Sequence, residues 1–182
     1  MSQDRTSWQI KDEAALDELI LLMGLRAEDG ATLKALAPKA EAYGPTLTKT
    51  FYDRLFAHAN TAEYLQGVDM QRLHSMVQTW FMGMFAGVYD RDYARQRLHI
   101  GEVHVKVGLP VRYPLAMIDV VMSFGDQIAN ESSEPAVALA AFQKVLSLDI
   151  AIFNQAYEDH QLRHLAELVG GERLARRLLT GT

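Results

Sequence analysis

Between Pro135 and Gly170 the sequence runs without a proline or glycine, and Ala138, Phe142, Val145, Leu148, Asp149, Ile152, Phe153 and Ala156 recur at spacings of three and four. That pattern predicts a helix of seven or more turns, continuing through Leu162, Leu165 and Leu168 until Gly170 and Gly171 stop it. The preceding ESSEP stretch supplies a cap at Ser132 or Ser133 and a first-turn proline at Pro135. A helix so long and so apolar needs partners, and a chain that offers them as further amphipathic helices has few folds open to it. No stretch alternates with period two, and no repeat is present. The expectation is an all-α domain of about seven to eight helices, packed together rather than coiled.

The rest of the chain supplies those helices. Residues 1–10 are expected to be loose, apart from whatever covers Trp8. From Asp12, residues Leu16, Leu19, Ile20 and Met23 mark a short helix ending near Gly24. A second runs from about Glu28 to Glu41 on Leu33, Leu36 and Ala40, with Pro38 as a kink or an early end. Gly44 and Pro45 punctuate before TLTKTFYDRLFAH, which carries Leu47, Phe51, Tyr52 and Leu55, and Asn60 and Thr61 offer a cap for a short turn. Asp69 opens a long helix to about Tyr89 with Leu73, Met76, Val77, Trp80, Phe81, Met84 and Val88 on its apolar face. Gly83 and Gly87, four apart, would allow a close helix crossing there. A further helix starts around Arg112 to Pro114 and runs to Asn130.

Between these lies LHIGEVHVKVGLPVRYPLAM, residues 98–117, in a helix predicted from about Asp92 to Gly108. Ile100, Val103, Val107 and His104 share one side of it, and Gly108 with Pro110 ends it. A single imidazole in apolar company near a helix terminus suits either an axial ligand to a buried cofactor or a core histidine with one hydrogen bond. The carbonyls of Ile100 and Gly101, about one turn back, are the nearest acceptors for its second nitrogen.

Composition removes other chemistries. The chain has no cysteine, which excludes disulfides, thiolate catalysis, iron–sulfur clusters and cysteine zinc sites. A formal charge of -5 gives no basic surface for nucleic acid, and Arg163, Arg173, Arg176 and Arg177 are scattered among leucines. The N-terminus carries no secretion signal, and the apolar segments read as too short or too interrupted to span a bilayer, so a cytoplasmic protein without membrane contact is expected. The paired Glu-x-x-His motifs of a di-iron bundle are missing, and Glu102-x-His104 has the wrong spacing to converge on one face. His160, His164 and Glu167 have facing spacings but read as exposed surface, and His58, His74 and His99 as surface or rim, with a place near a bound cofactor as the alternative for His74 and His99. There is no Gly-rich phosphate loop and no nucleophile elbow.

The run RLHIGEVHVKVGLPVRYPLAM closely resembles the segment of globin-coupled sensor domains that carries the proximal haem histidine. Upstream, FYDRLFAH (51–58) resembles that family's distal B helix with its Phe-Tyr pair, and WFMGMFAGVYDRDYARQR (80–97) resembles its E to F region. The three matches fall in order across roughly Leu25 to Tyr157. The resemblance implies a globin-like helical sandwich with an additional N-terminal helix. Residues 1–24 would be an extension, 25–168 the globin sensor domain, and 169–182 a tail or the start of a linker.

It also implies haem b, with His104 as the proximal iron ligand of a pentacoordinate ferrous site. Tyr52 would donate a hydrogen bond to bound O2, and Phe51, Leu55, Val77, Trp80, Phe81, Ile100, Val107 and Tyr113 are candidates for the pocket. Arg97, seven residues before His104, has two readings: it reaches the haem edge and pairs with a propionate, or it is an ordinary solvated arginine. Met76 stands where some relatives have a small polar residue, which leaves Tyr52 as the main donor; as a thioether it is also a candidate sixth ligand. Tyr113-Pro114 departs from the aromatic pair typical of the family. The implied function is an oxygen or diatomic-gas sensor for O2, CO or NO, not itself an enzyme. It would pair as a homodimer through the two long C-terminal helices and pass its state to an output domain or signalling partner outside this chain. The alternative is a haem-free globin-like interaction module.

Overall fold

The computed structural model describes Ser7, Ile10, Lys11 and residues 14–181. Its helices are α1 (Ala14–Met23), α2 (Ala27–Ala35), α3 (Ala37–Phe56), α4 (Ala59–Ala62), α5 (Met70–Gly83), α6 (Arg91–Lys106), α7 (Arg112–Ala116), α8 (Ile118–Ala129), α9 (Pro135–Val169) and α10 (Glu172–Thr180). A 3-10 turn at Glu63–Leu65 follows α4, and no strand occurs among the described residues. The total exceeds the seven to eight expected because α4, α7 and α10 are short pieces that sequence periodicity merges or misses. The expected cover for Trp8 and the Asp12 helix start lie outside the described residues.

The architecture is all-α, laid out around α9. That helix begins at Pro135, whose missing N–H costs nothing in a first turn, and ends at Gly170. Helices α1, α2, α6, α8 and α10 pack on it, while α3 lies against α5 and α8. Leu33, Leu47, Phe81, Met84, Val121, Ile128, Phe142, Val145 and Leu148 form the centre of the core, each fully shielded from solvent or nearly so. By length and composition α9 could cross a membrane, contrary to the sequence expectation. Its apolar residues Ala138, Ala141, Phe142, Val145, Leu148 and Ile152 are instead buried against the surrounding helices.

The early end expected near Pro38 is present: α2 stops at Ala35, and Pro38 sits in the first turn of α3, where a proline is tolerated. Three other boundaries differ from expectation. Pro45, expected to precede a helix, lies inside α3; the buried residues Ala40, Gly44, Leu47, Thr48 and Tyr52 on both sides of it hold the helix continuous by packing. The segment expected to be one helix from Arg112 to Asn130 breaks at Met117 into α7 and α8. Helix α5 stops at Gly83, and Gly87 lies beyond it with φ +79°, a conformation that favours glycine. The two glycines are therefore not one crossing stripe: Gly87 turns the chain and brings its carbonyl against Gly30, where a Cβ would come within 2.5 Å of it.

Asp69 caps α5 by accepting from the Gln71 and Arg72 amides, and Asp90 caps α6 by accepting from the Asp92 and Tyr93 amides. Helix α6 approaches α9 closely because Gly101 has no side chain: a Cβ there would stand 2.5 Å from Ala156 Cβ and 2.9 Å from the Phe153 carbonyl oxygen. Although consecutive, α5 and α6 do not pack along one another; α5 leans on α3 and α6 lies along α9.

Candidate functional site

His104 sits in the last turn of α6, partly buried, with its ring edge-on to Phe153 of α9 at 5.4 Å between centroids. Its Nδ1 lies 2.7 Å from the Ile100 carbonyl oxygen. A carbonyl only accepts, so Nδ1 carries the proton and Nε2 keeps its lone pair. Burial lowers the pKa of the imidazole, an effect the Ile100 hydrogen bond partly offsets. The sequence pattern dictates this tautomer, since the carbonyl one helical turn back is the acceptor an imidazole at this point can reach.

Tyr52 lies in the last part of α3 and is 5% exposed. Phe51 meets it edge-on at 5.5 Å, and the His74 ring from α5 stacks on it at 4.8 Å with 10° between planes. Burial pushes its phenol up to about 12, so the hydroxyl keeps its proton. No described residue forms a hydrogen bond with that hydroxyl. No buried side-chain nitrogen or oxygen among the described residues lacks a partner. The unpartnered Tyr52 hydroxyl and His104 Nε2 are therefore not sealed in the core; both open onto accessible space.

The other sequence candidates divide. Leu55 and Tyr113 line one pocket of about 490 Å³ together with Arg54, His58, Thr61 and Met117. Val77 and Trp80 are partly buried against the core. Ile100 contributes its carbonyl to His104. Met76 and Val107 are 47% and 58% exposed, so neither side chain is packed inside.

Two candidates are corrected. Phe81 is wholly shielded, packed edge-on to Phe85 and Phe142 at 5.3 and 6.4 Å, and so is core rather than pocket wall. Arg97 is 3% exposed and its Nε donates to Asp149 Oδ1 at 2.7 Å. A guanidinium held inside by a carboxylate is not available at a cofactor's wet edge. His74 stands beside Tyr52 rather than at the surface, although a lone histidine on a helix gives no sign of which ring it meets. His160 and His164 stack at 6.5 Å, and no group of three or more metal-ligating side chains occurs among the described residues.

The protoglobin family model matches residues 12–163. A heme-based aerotactic transducer, HemAT of Halobacterium salinarum, is 27% identical over 169 residues, covering 85% of this chain and 35% of its own. The chain thus spans about a third of that relative's length. Among solved structures, the globin domain of a Geobacter sulfurreducens globin-coupled sensor superposes with a TM-score of 0.72 at 32% identity, covering 78% of this chain and 96% of its own. Family match, solved relative and helical order agree: the chain belongs to the protoglobin family, as a globin domain of the globin-coupled sensor type.

Proposed function

We propose that this domain binds haem b through His104 and reports a diatomic gas, with O2 as the principal ligand and CO and NO bound by the same chemistry. The observation that carries the reading is the state of His104. One ring nitrogen is committed to the Ile100 carbonyl, and the other keeps a free lone pair on a neutral, half-buried imidazole. That is the state an iron-ligating histidine requires. The HemAT relative, described as heme-based, supports the same assignment.

Haem, held through His104, would supply an iron able to bind a diatomic gas. The chain's own residues do the rest. His104 anchors and orients through its second nitrogen. Tyr52, a neutral phenol with no acceptor among the described residues, offers a proton to the partly negative end of a polar gas ligand. Such a bond favours O2 over CO by about 1–3 kcal/mol. Phe51, Leu55, Val77, Trp80 and Tyr113 supply apolar walls, and Met76, a thioether with no proton to give, leaves Tyr52 as the donor. With Arg97 committed to Asp149, a propionate finds its partner elsewhere.

The domain binds rather than turns over substrate. Residues 25–168 form the sensor unit, and a second copy pairs through α8 and α9, where Val137 and Leu168 are exposed apolar side chains. The gas state leaves through these helices to an output domain or partner in the cytoplasm. Haem titration of the purified protein tests the reading. An intense porphyrin band that shifts on reduction and again on CO addition is expected, and His104→Ala loses that behaviour. A wild type without the band, or a variant spectrally identical to it, leaves the haem-free interaction module as the reading; molecular mass in solution decides the dimer.

A further inference from the structure

Three helices close on one buried carboxylate. Asp149, 3% exposed at the middle of α9, accepts from Trp80 Nε1 of α5 at 2.5 Å on Oδ2. Its Oδ1 accepts from Arg97 Nε of α6 at 2.7 Å and from the Tyr93 hydroxyl. Arg97 then returns to α5, donating from Nη2 to the Trp80 carbonyl at 2.9 Å, and its guanidinium carbon lies 4.1 Å from the centre of the Tyr93 ring. Gly83 makes room for this group, since a Cβ there would come within 2.5 Å of Arg97 Nη2.

A buried ion pair is a poor source of net stability, because desolvation cancels much of the attraction and well-packed apolar residues often do as well. Directional bonds do supply geometry. Apolar packing holds helices together at many angles, whereas a carboxylate bonded to an indole, a guanidinium and a phenol fixes them at one.

The place of this clamp gives the geometry a consequence. Trp80 is six residues past His74 on α5, and Arg97 is seven before His104 on α6, arms of about 9 and about 10 Å at the rise of an α-helix. Away from the clamp the two helices part, α5 toward Tyr52 on α3 and α6 toward Phe153 on α9. A rotation of α6 of about 10° about this vertex moves His104 by about 2 Å.

We propose that Asp149, acting through Arg97 and Trp80, is a positioning residue that sets the angle between α5 and α6 and thereby the separation of His104 from the Tyr52–His74 wall. Its bearing on gas binding rests on the reading of those residues given above, but its test does not. The chain has no cysteine, so Ser75→Cys on α5 and Lys106→Cys on α6, both exposed positions, take spin labels cleanly. The distance between the labels is measured in haem-free protein.

In Asp149→Asn and in the apolar pair Arg97→Met with Asp149→Leu, the distance distribution is expected to shift or broaden by about 2 Å. In a Trp8→Phe background, which leaves Trp80 as the single indole, Asp149→Asn also moves the indole N–H resonance upfield. After haem loading, CO rebinding following photolysis changes several-fold in the same variants. A merely structural clamp predicts something else: the apolar pair, with its denaturation midpoint retained, keeps the wild-type distance. If that pair does not fold, the isosteric Asp149→Asn decides. A wild-type label distance in a folded variant overturns the proposal even where haem binds, and where haem does not bind the label distances alone decide it.

Discussion

The ring of Tyr52 on α3 lies face to face with the imidazole of His74 on α5, 4.8 Å apart and 10° from parallel. Two helices thus share one aromatic surface, and the Tyr52 hydroxyl is aimed by a neighbour that makes no hydrogen bond to it among the described residues. His74→Phe preserves the stack and is expected to be close to neutral. His74→Ala is expected to lose about 0.5–1.5 kcal/mol of stability, read as a lower urea midpoint, and to let the Tyr52 ring move. Faster O2 dissociation in His74→Ala but not in His74→Phe checks the aiming role; equal rates in both would remove it.

Alkaline titration reads the Tyr52 site without any cofactor. Its phenol is pushed up to about 12 by burial, and Tyr157 likewise to about 12. The unfolded chain releases these protons near pH 10 while the folded chain retains them, so stability is whole below about pH 10 and declines toward about pH 12. Denaturant midpoints across that interval should fall in the wild type, and less steeply in Tyr52→Phe. An unchanged slope would mean that Tyr52 is not desolvated.

His104 gives the opposite sign on the acid side. Burial favours its neutral ring, so the folded pKa lies below the unfolded value of 6.5. As pH falls through that value the unfolded chain takes up a proton that the folded chain resists, and stability declines until the folded ring is also protonated. Haem-free wild type should lose stability as pH falls through about 6.5, and His104→Leu should lack that component of the decline. Parallel profiles in the two proteins would assign the acid sensitivity to other groups.

Gly101→Ala tests the seating of α6. In an ordinary helix the change is favourable, but here the new Cβ meets Ala156 Cβ at 2.5 Å and the Phe153 carbonyl oxygen at 2.9 Å. The expected outcome is a loss of about 1–3 kcal/mol. Adding Ala156→Gly removes the first clash and leaves the second, so partial recovery of the urea midpoint is expected, with a non-additive cycle. A neutral Gly101→Ala would show that α6 can ride farther from α9.

Fold and site were legible to different depths. The long apolar period of α9, the Gly108–Pro110 stop after α6 and the opening of α5 at Asp69 are local signals, and each leads to the element observed. Pro45 misled because local backbone chemistry argues for a break, whereas the burial of Gly44, Leu47 and Tyr52 overrides it through contacts no window contains. The tautomer of His104 was within reach because its acceptor is four residues away. The partner of Arg97 was not, being 52 residues off; the available hint was a lone carboxylate, Asp149, on the apolar stripe of the longest helix. An ion pair of that kind turns an apparent surface arginine into an interior strut. Nothing in the spacing of Tyr52 and His74 announces that their rings meet.

Asp149, Phe153 and Ala156 fall within two turns of α9 and engage Arg97, His104 and Gly101 of α6 by three unlike contacts: a charged hydrogen bond, an aromatic edge and a bare backbone seat. The residues one place along α9 from Asp149 and Phe153, Leu148, Ile150, Ile152 and Asn154, carry neither a carboxylate nor a ring, so the two helices mesh like a key in a lock with three different wards. Sliding α6 along α9 by even one residue mismatches all three together. The side chain of His104 is thus denied axial travel, and what freedom it has is tilt and roll about a fixed register.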